Sequence, residues 1–130
     1  MFLRFVVGDI DEDSLRELGV FQAIYRLRDK GKLHDYEEAH LKLIGQWFDE
    51  HLGKPNRLTA SKPPFYRKPK RAISWFKDSA HEHLSRIRDI IAILHNHQVA
   101  VRMLKTDRVG YVVYEDEYQI VAEPFTTDSY

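Results

Sequence analysis

Apolar residues recur along this chain with two periods, and the order of those periods limits what it can fold into. Over 2–7, Leu3, Phe5 and Val7 alternate with their neighbours, which is the pattern of a strand with one inward face. Three segments with helical spacing fill most of the middle. The first is expected over 14–28, with Leu15, Leu18, Ile24, Tyr25 and Leu27 turned inward. Gly19 weakens its centre, and Lys30-Gly31-Lys32 ends it with a left-handed turn. The second runs over about 35–52, its stripe of Leu41, Ile44, Phe48 and Leu52 widened by Tyr36, Leu43 and Trp47. The third covers 79–96, with Ala80, Leu84, Ile87, Ile91 and Leu94 on one face. Each opens with an oxygen-bearing residue three places before a glutamate: Ser14 with Glu17, Asp35 with Glu38, Ser79 with Glu82. At that spacing cap and glutamate each satisfy a backbone N–H left over by the first turn.

Period two returns in a short strand over 72–76, a longer one over 99–104 and a hairpin of 111–114 with 118–123. Thr106 to Gly110 supplies the turn before the hairpin, the glycine accepting a positive φ. The order β-α-α-β-α-β-β-β predicts an α+β fold. Its sheet is expected to be largely antiparallel and to close with a three-strand meander. The first two helices form an antiparallel hairpin, and the third packs on the sheet. At 130 residues this is one domain, 1–130, large enough to bury a core without a metal or disulfide staple.

There is no cysteine, which removes disulfides, thiolate nucleophiles and cysteine zinc sites together and suits a reducing compartment. The opening apolar run is short and interrupted by Arg4, so it lacks the core of a signal peptide. No apolar run approaches the roughly 20 residues that cross a bilayer. The expectation is a soluble cytoplasmic protein with no membrane partner.

Twenty acidic and twenty basic residues cancel, yet they are not evenly mixed. Between Gly53 and Arg71 stand seven basic residues and no acidic one, so the remainder carries thirteen basic against twenty acidic. Four prolines fall within 53–70, and no helical or strand period crosses them, so this reads as a basic loop or linker on an acidic body. Phe65 and Tyr66 stand among Lys62, Arg67, Lys68, Lys70 and Arg71. Cations with interleaved aromatics suit RNA or single-stranded DNA, whose phosphates and bases they can meet. The same loop can dock on an acidic protein partner, including a second copy of the chain, and the acidic body favours that over nucleic acid.

Other clusters are weaker. Asp9-Ile10-Asp11-Glu12-Asp13 spaces aspartates as a calcium loop does, but Ser14 and Val20 occupy the places of the required glycine and glutamate. The acids suit the approach to a helix N-terminus instead. His81 with His83 and His95 with His97 are two residues apart, which on a helix points them to different faces and not at one metal. Arg4 and Arg102 sit mid-strand, away from the Leu3/Phe5 and Val101/Met103 faces. If their strands are neighbours they can share a sheet face with Gln119 and Glu123, and Arg4, Arg102 and Glu123 would then form an anion pocket or an acid–base site. A surface ion pair is the ordinary alternative. Tyr111, Tyr114 and Tyr118 around Glu115-Asp116-Glu117 make a possible contact tip. Phosphate-binding glycine loops, a nucleophile elbow and dinucleotide fingerprints are missing, so no cofactor is expected.

The C-terminal half resembles a small set of uncharacterised bacterial proteins. The likeness rests on Trp75-Phe76-Lys77-Asp78, on Thr106-Asp107-Arg108, on the run from Gly110 to Glu117, on Gln119, and on Val121-Ala122-Glu123-Pro124-Phe125. It implies a bacterial cytoplasmic setting and carries over no activity. Taken together, the sequence points to a non-enzymatic protein-interaction module. The alternatives are a small hydrolase or nuclease built from arginine, histidine and acidic side chains, and a nucleic-acid binder working through the basic loop.

Overall fold

The computed structural model describes residues 1–10, 17–54 and 72–125. Among these, the elements are β1 (Phe2–Ile10), β2 (Glu17–Gly19), α1 (Val20–Asp29), α2 (Asp35–His51), β3 (Ile73–Lys77), α3 (His81–Asn96), β4 (Arg102–Thr106), β5 (Tyr111–Glu115) and β6 (Gln119–Glu123). The class is α+β, with three helices on an antiparallel six-stranded sheet.

The first helix starts later than its sequence suggests. Glu17–Gly19 is a short strand paired with β1, Val6 facing Gly19, so Glu17 cannot serve in a capping box with Ser14, which lies outside the described residues. Gly19 is the cap, extended at φ −72° and ψ 165°, and the Gln22 side chain accepts its N–H. The second helix has the right extent but a different cap. His34 precedes it, and the Glu37 carboxylate accepts the His34 N–H at 2.9 Å, one place before the Asp35–Glu38 spacing. The third is capped by Ala80 and not by Ser79. Lys30-Gly31 ends α1 as expected, with Gly31 at φ +69°.

The closing meander does not form. β5 and β6 make the expected hairpin, but β4 pairs along β1, from Phe2 with Thr106 to Val6 with Arg102. On the other flank of β1, β3 pairs at Phe2 and Leu3 and β2 from Val6 onward. β6 then joins β3, and β5 lies outermost. A short connection over 107–110 links the two outer strands, β4 and β5. Its five Cα steps reach at most about 18 Å, and four strand spacings across a flat sheet need about 19 Å. The sheet therefore curls, bringing its two outer strands toward each other.

That curl explains two cores. One face of the sheet, carrying Leu3, Val7 and Phe76, packs on the helices through Ile24, Leu41, Ile44, Phe48, Leu84, Ile87, Ile90 and Leu94. The other gathers Ile73, Trp75, Ile120 and Ala122 with Phe2, Leu104 and Val109, the last supplied by the β4–β5 connection. Trp75 is wholly buried there. Strand β6 is buried on both faces because it lies between the two clusters. Tyr36 and Leu43, assigned to the inward stripe of α2, are instead exposed.

Candidate functional site

Strand β3 leaves β1 after Leu3, and β2 joins it only at Val6, so the sheet opens along Arg4 and Phe5. The start of α1 and the end of α2 flank that opening. Between them lies a cleft of about 320 Å³ walled by Phe5, Val20, Phe21, Phe48, Leu52 and Phe76. Its polar lining is Arg4 and Gly19 on one side, Ser74 and Gln119 on another, and Asp49, Gly53 and Lys54 along the end of α2. At this size it falls at the small end of the range for ligand pockets, about 300–1,000 Å³.

Each polar group is positioned by a different element. The Arg4 guanidinium donates to the Glu17 carbonyl at 3.3 Å and lies against Gly19, holding β2 on β1. Arg102, one strand over, pairs with the Glu17 carboxylate. The parity of the β1–β4 register puts both arginines on one face, the arrangement that required their strands to be neighbours. Glu123 departs from that grouping. Through Leu3–Phe76 and Phe76–Gln119 pairing, Gln119, Val121 and Glu123 project on the opposite, helix-packed face, and Glu123 is buried. The structure thus brings Arg4 and Arg102 together around Glu17, with Glu123 two strands away on the other side.

A second polar group secures the β5–β6 turn. Asp116 accepts the backbone N–H of Tyr118 and of Gln119 on one oxygen, and the Tyr114 hydroxyl at 2.8 Å on the other. The Gln119 amide donates to the Gly53 carbonyl and accepts from the Ser74 hydroxyl. Burial alone would raise the Asp116 pKa, but these donors outweigh it and hold the carboxyl below its ordinary range. Reciprocally, the hydrogen bond to Asp116 pushes the Tyr114 hydroxyl above 10.0. A Cβ on Gly53 would collide with the Tyr114 hydroxyl, so glycine permits this approach. The tyrosines around 115–117 thus serve packing in part: Tyr114 caps the turn and Tyr118 stacks on His83 at 4.3 Å. Tyr111 remains half exposed.

The histidines divide as their spacing implies. His83 is buried among Trp47, Phe48, Phe76 and Tyr118, and its Nε2 donates to the His51 carbonyl at the end of α2, whereas His81 is exposed. His97 bonds the buried Glu37 at 2.7 Å, joining the end of α3 to the start of α2. Among the described residues no three histidine or acidic side chains are placed to hold a metal ion. No described helix is long and apolar enough to cross a membrane.

The contact residues assigned to the basic segment, Lys62, Phe65, Tyr66, Arg67, Lys68, Lys70 and Arg71, lie outside the described residues, as do Asp11, Glu12 and Asp13. What is placed is the point of departure: Gly53 rests on Tyr114 and Gln119, beside the β5–β6 hairpin. The cleft itself escaped sequence reasoning. Its wall is made by apolar residues of ordinary helix stripes, and only the opening of the sheet at Arg4 leaves them uncovered. No family model matches the chain, and neither curated proteins nor solved structures give a match.

Proposed function

We propose that the protein is a non-enzymatic interaction module that adds an acidic, extended segment of a protein partner to its outer strand β5. Among the described residues β5 pairs with β6 alone, and its Tyr111 and Val112 are each 51% exposed. A strand with one unpaired edge is a template for another chain, and alternating side chains supply the specificity. The other outer strand, β4, is less suited because Arg102 and Lys105 charge it. The preference for acidic partners comes from the basic segment, which sets out from Gly53 against the side chain of Tyr114 on β5. A segment lying on β5 therefore begins next to Lys54, the first of seven cations. The observation that carries this reading is the pairing of an exposed apolar edge with the origin of that charge.

A photo-crosslinking residue placed at Val112, with one at the exposed Ala92 of α3 as control, tests it in cells. The expected result is a discrete protein adduct from position 112 and none from position 92. An adduct of twice the chain mass identifies a second copy, whose own acidic body supplies the complementary charge. No adduct at 112, or equal labelling at both positions, removes the support for β5. An adduct that is RNA would transfer the basic segment's role to nucleic acid.

A further inference from the structure

The cleft between β2 and β3 lies apart from the β5 edge, and its lining suits a small molecule. Phe5 of β1 and Phe76 of β3 share the helix-packed face of the sheet, because Leu3 pairs with Phe76 and alternation carries Phe5 to the same side. Val20 and Phe21 come from the start of α1, and Phe48 and Leu52 from the end of α2. Phe21 meets Phe48 edge-on at 5.0 Å, and Phe48 tilts against Phe76 at 6.2 Å, the geometries in which one aromatic ring accepts another. The polar groups of the wall turn inward on the protein. The Ser74 hydroxyl donates to the Gln119 side-chain oxygen, the Gln119 amide donates to the Gly53 carbonyl, and the Gly19 N–H donates to the Gln22 side chain. Arg4 alternates to the opposite face of β1, where its guanidinium holds the Glu17 carbonyl. Asp49 and Lys54, both exposed, add one charge of each sign and so favour neither sign in a ligand. A water molecule is well held only where roughly two to four polar partners converge. Among the described lining residues the donors of the wall are already engaged, so water in the cleft is weakly held and apolar surface displaces it favourably.

We infer that this cleft binds a small uncharged apolar molecule built on one aromatic ring, the ring and a short alkyl chain lying among the phenylalanines. The cleft holds about 320 Å³. An apolar cavity of about 150 Å³ takes benzene, so there is room here for a short chain beside the ring.

The probe is n-propylbenzene, with toluene and ethylbenzene as shorter members and 3-phenylpropionate and 3-phenylpropylamine as anionic and cationic counterparts. Titration followed by amide NMR should give saturable shifts at Val20, Phe21, Leu52 and Gly53. Affinity should rise about fourfold with each carbon added from toluene to propylbenzene, as expected when a methylene is buried. Propylbenzene should bind at least about tenfold more tightly than either ion, because a charge gives up hydration and gains no partner in the cleft. Ser74→Phe fills the cleft from an exposed strand position and should abolish binding. Should it fail to fold, Leu52→Asp serves in its place, setting a carboxylate in the wall, and should weaken propylbenzene at least about tenfold. No saturable shift at these amides, affinity indifferent to chain length, an ion that binds as tightly as propylbenzene, or a folded variant that binds like the wild type overturns the assignment. A second copy seated in the cleft would give a dimer on sedimentation and no shifts, and overturns it equally. None of these results bears on β5, because the crosslinking at position 112 reads a different surface.

Discussion

Glu37 illustrates how one buried side chain can do two jobs. It is 1% exposed, and burial alone would raise its pKa. The His34 N–H and the His97 imidazole outweigh that penalty and hold the carboxyl below its ordinary value of 4.5. A depressed carboxyl pKa means that the folded state binds the proton less well than the unfolded chain. Its contribution to stability is therefore complete above 4.5 and is lost as pH falls through the lower folded value. Glu37→Gln keeps an oxygen for the His34 N–H but gives up the charge, and should cost about 1–3 kcal/mol at neutral pH. Urea midpoints taken from neutral pH downward check the sign. Wild type and variant should converge as the carboxylate protonates, and a gap that widens on acidification would show that the pair is not stabilising. From sequence, Glu37 was invisible as a cap because its partner is His34, which is not a residue that announces a helix start, while Asp35 and Glu38 next door are.

Among the connections, the one over 107–110 passes close to the end of β6 at a single glycine. Gly110 sits at φ +123°, and a Cβ there would fall on the backbone of Glu123 and Pro124, which cannot swing aside as a side chain does. Gly110→Ala should cost at least about 2 kcal/mol from backbone strain alone. Gly31→Ala, where φ is +69° but the space is open, should cost about 1 kcal/mol. Gly8→Ala, with open space and no positive φ, should be neutral or slightly stabilising. Denaturant midpoints for the three variants should fall in that order, and a Gly110→Ala as mild as Gly8→Ala would mean the connection relaxes freely. The existence and type of most elements were legible from period alone, as with the stripe Leu41, Ile44 and Phe48 in α2. What failed was tertiary. Glu17 fits a capping box by spacing, yet pairing of β2 with β1 takes that backbone first. The strand 102–106 is adjacent in sequence to β5, which predicts a meander, but its partner is β1 and the sheet curls instead. No local pattern encodes which flank of a distant strand is vacant.

Across the whole molecule, the same limit decides which sites could be foreseen. Alternation gave the face that Arg4 and Arg102 each take on their own strand, and the pairing of β4 with β1, which it did not give, brings those faces together. It could not place Glu123, whose side of the sheet follows from the register of β3 on β1 and of β6 on β3. The cleft needs all of these registers plus the ends of two helices, so it emerges only from the assembled fold. Charge segregation is different: it is a property of residue order along the chain, legible from the start, and the fold adds only where the basic segment begins. That joins two physically separable contributions to the proposed interaction. Edge pairing on β5 is short-ranged and insensitive to ionic strength, whereas the cations act over about a Debye length, roughly 10 Å in moderate salt. Rising salt should therefore lower the yield of the position-112 adduct without abolishing it. Replacing Lys62, Lys68 and Lys70 by glutamate should reproduce the high-salt yield even at low salt, since steering by complementary charge acts mainly on the rate of encounter. Tyr111→Lys, followed from a crosslinker elsewhere on β5, should instead lower the yield at every salt concentration by charging the edge itself. A yield that is flat in salt, with the glutamate variant unaffected, would leave β5 as the whole interface and make the gathered charge irrelevant to it.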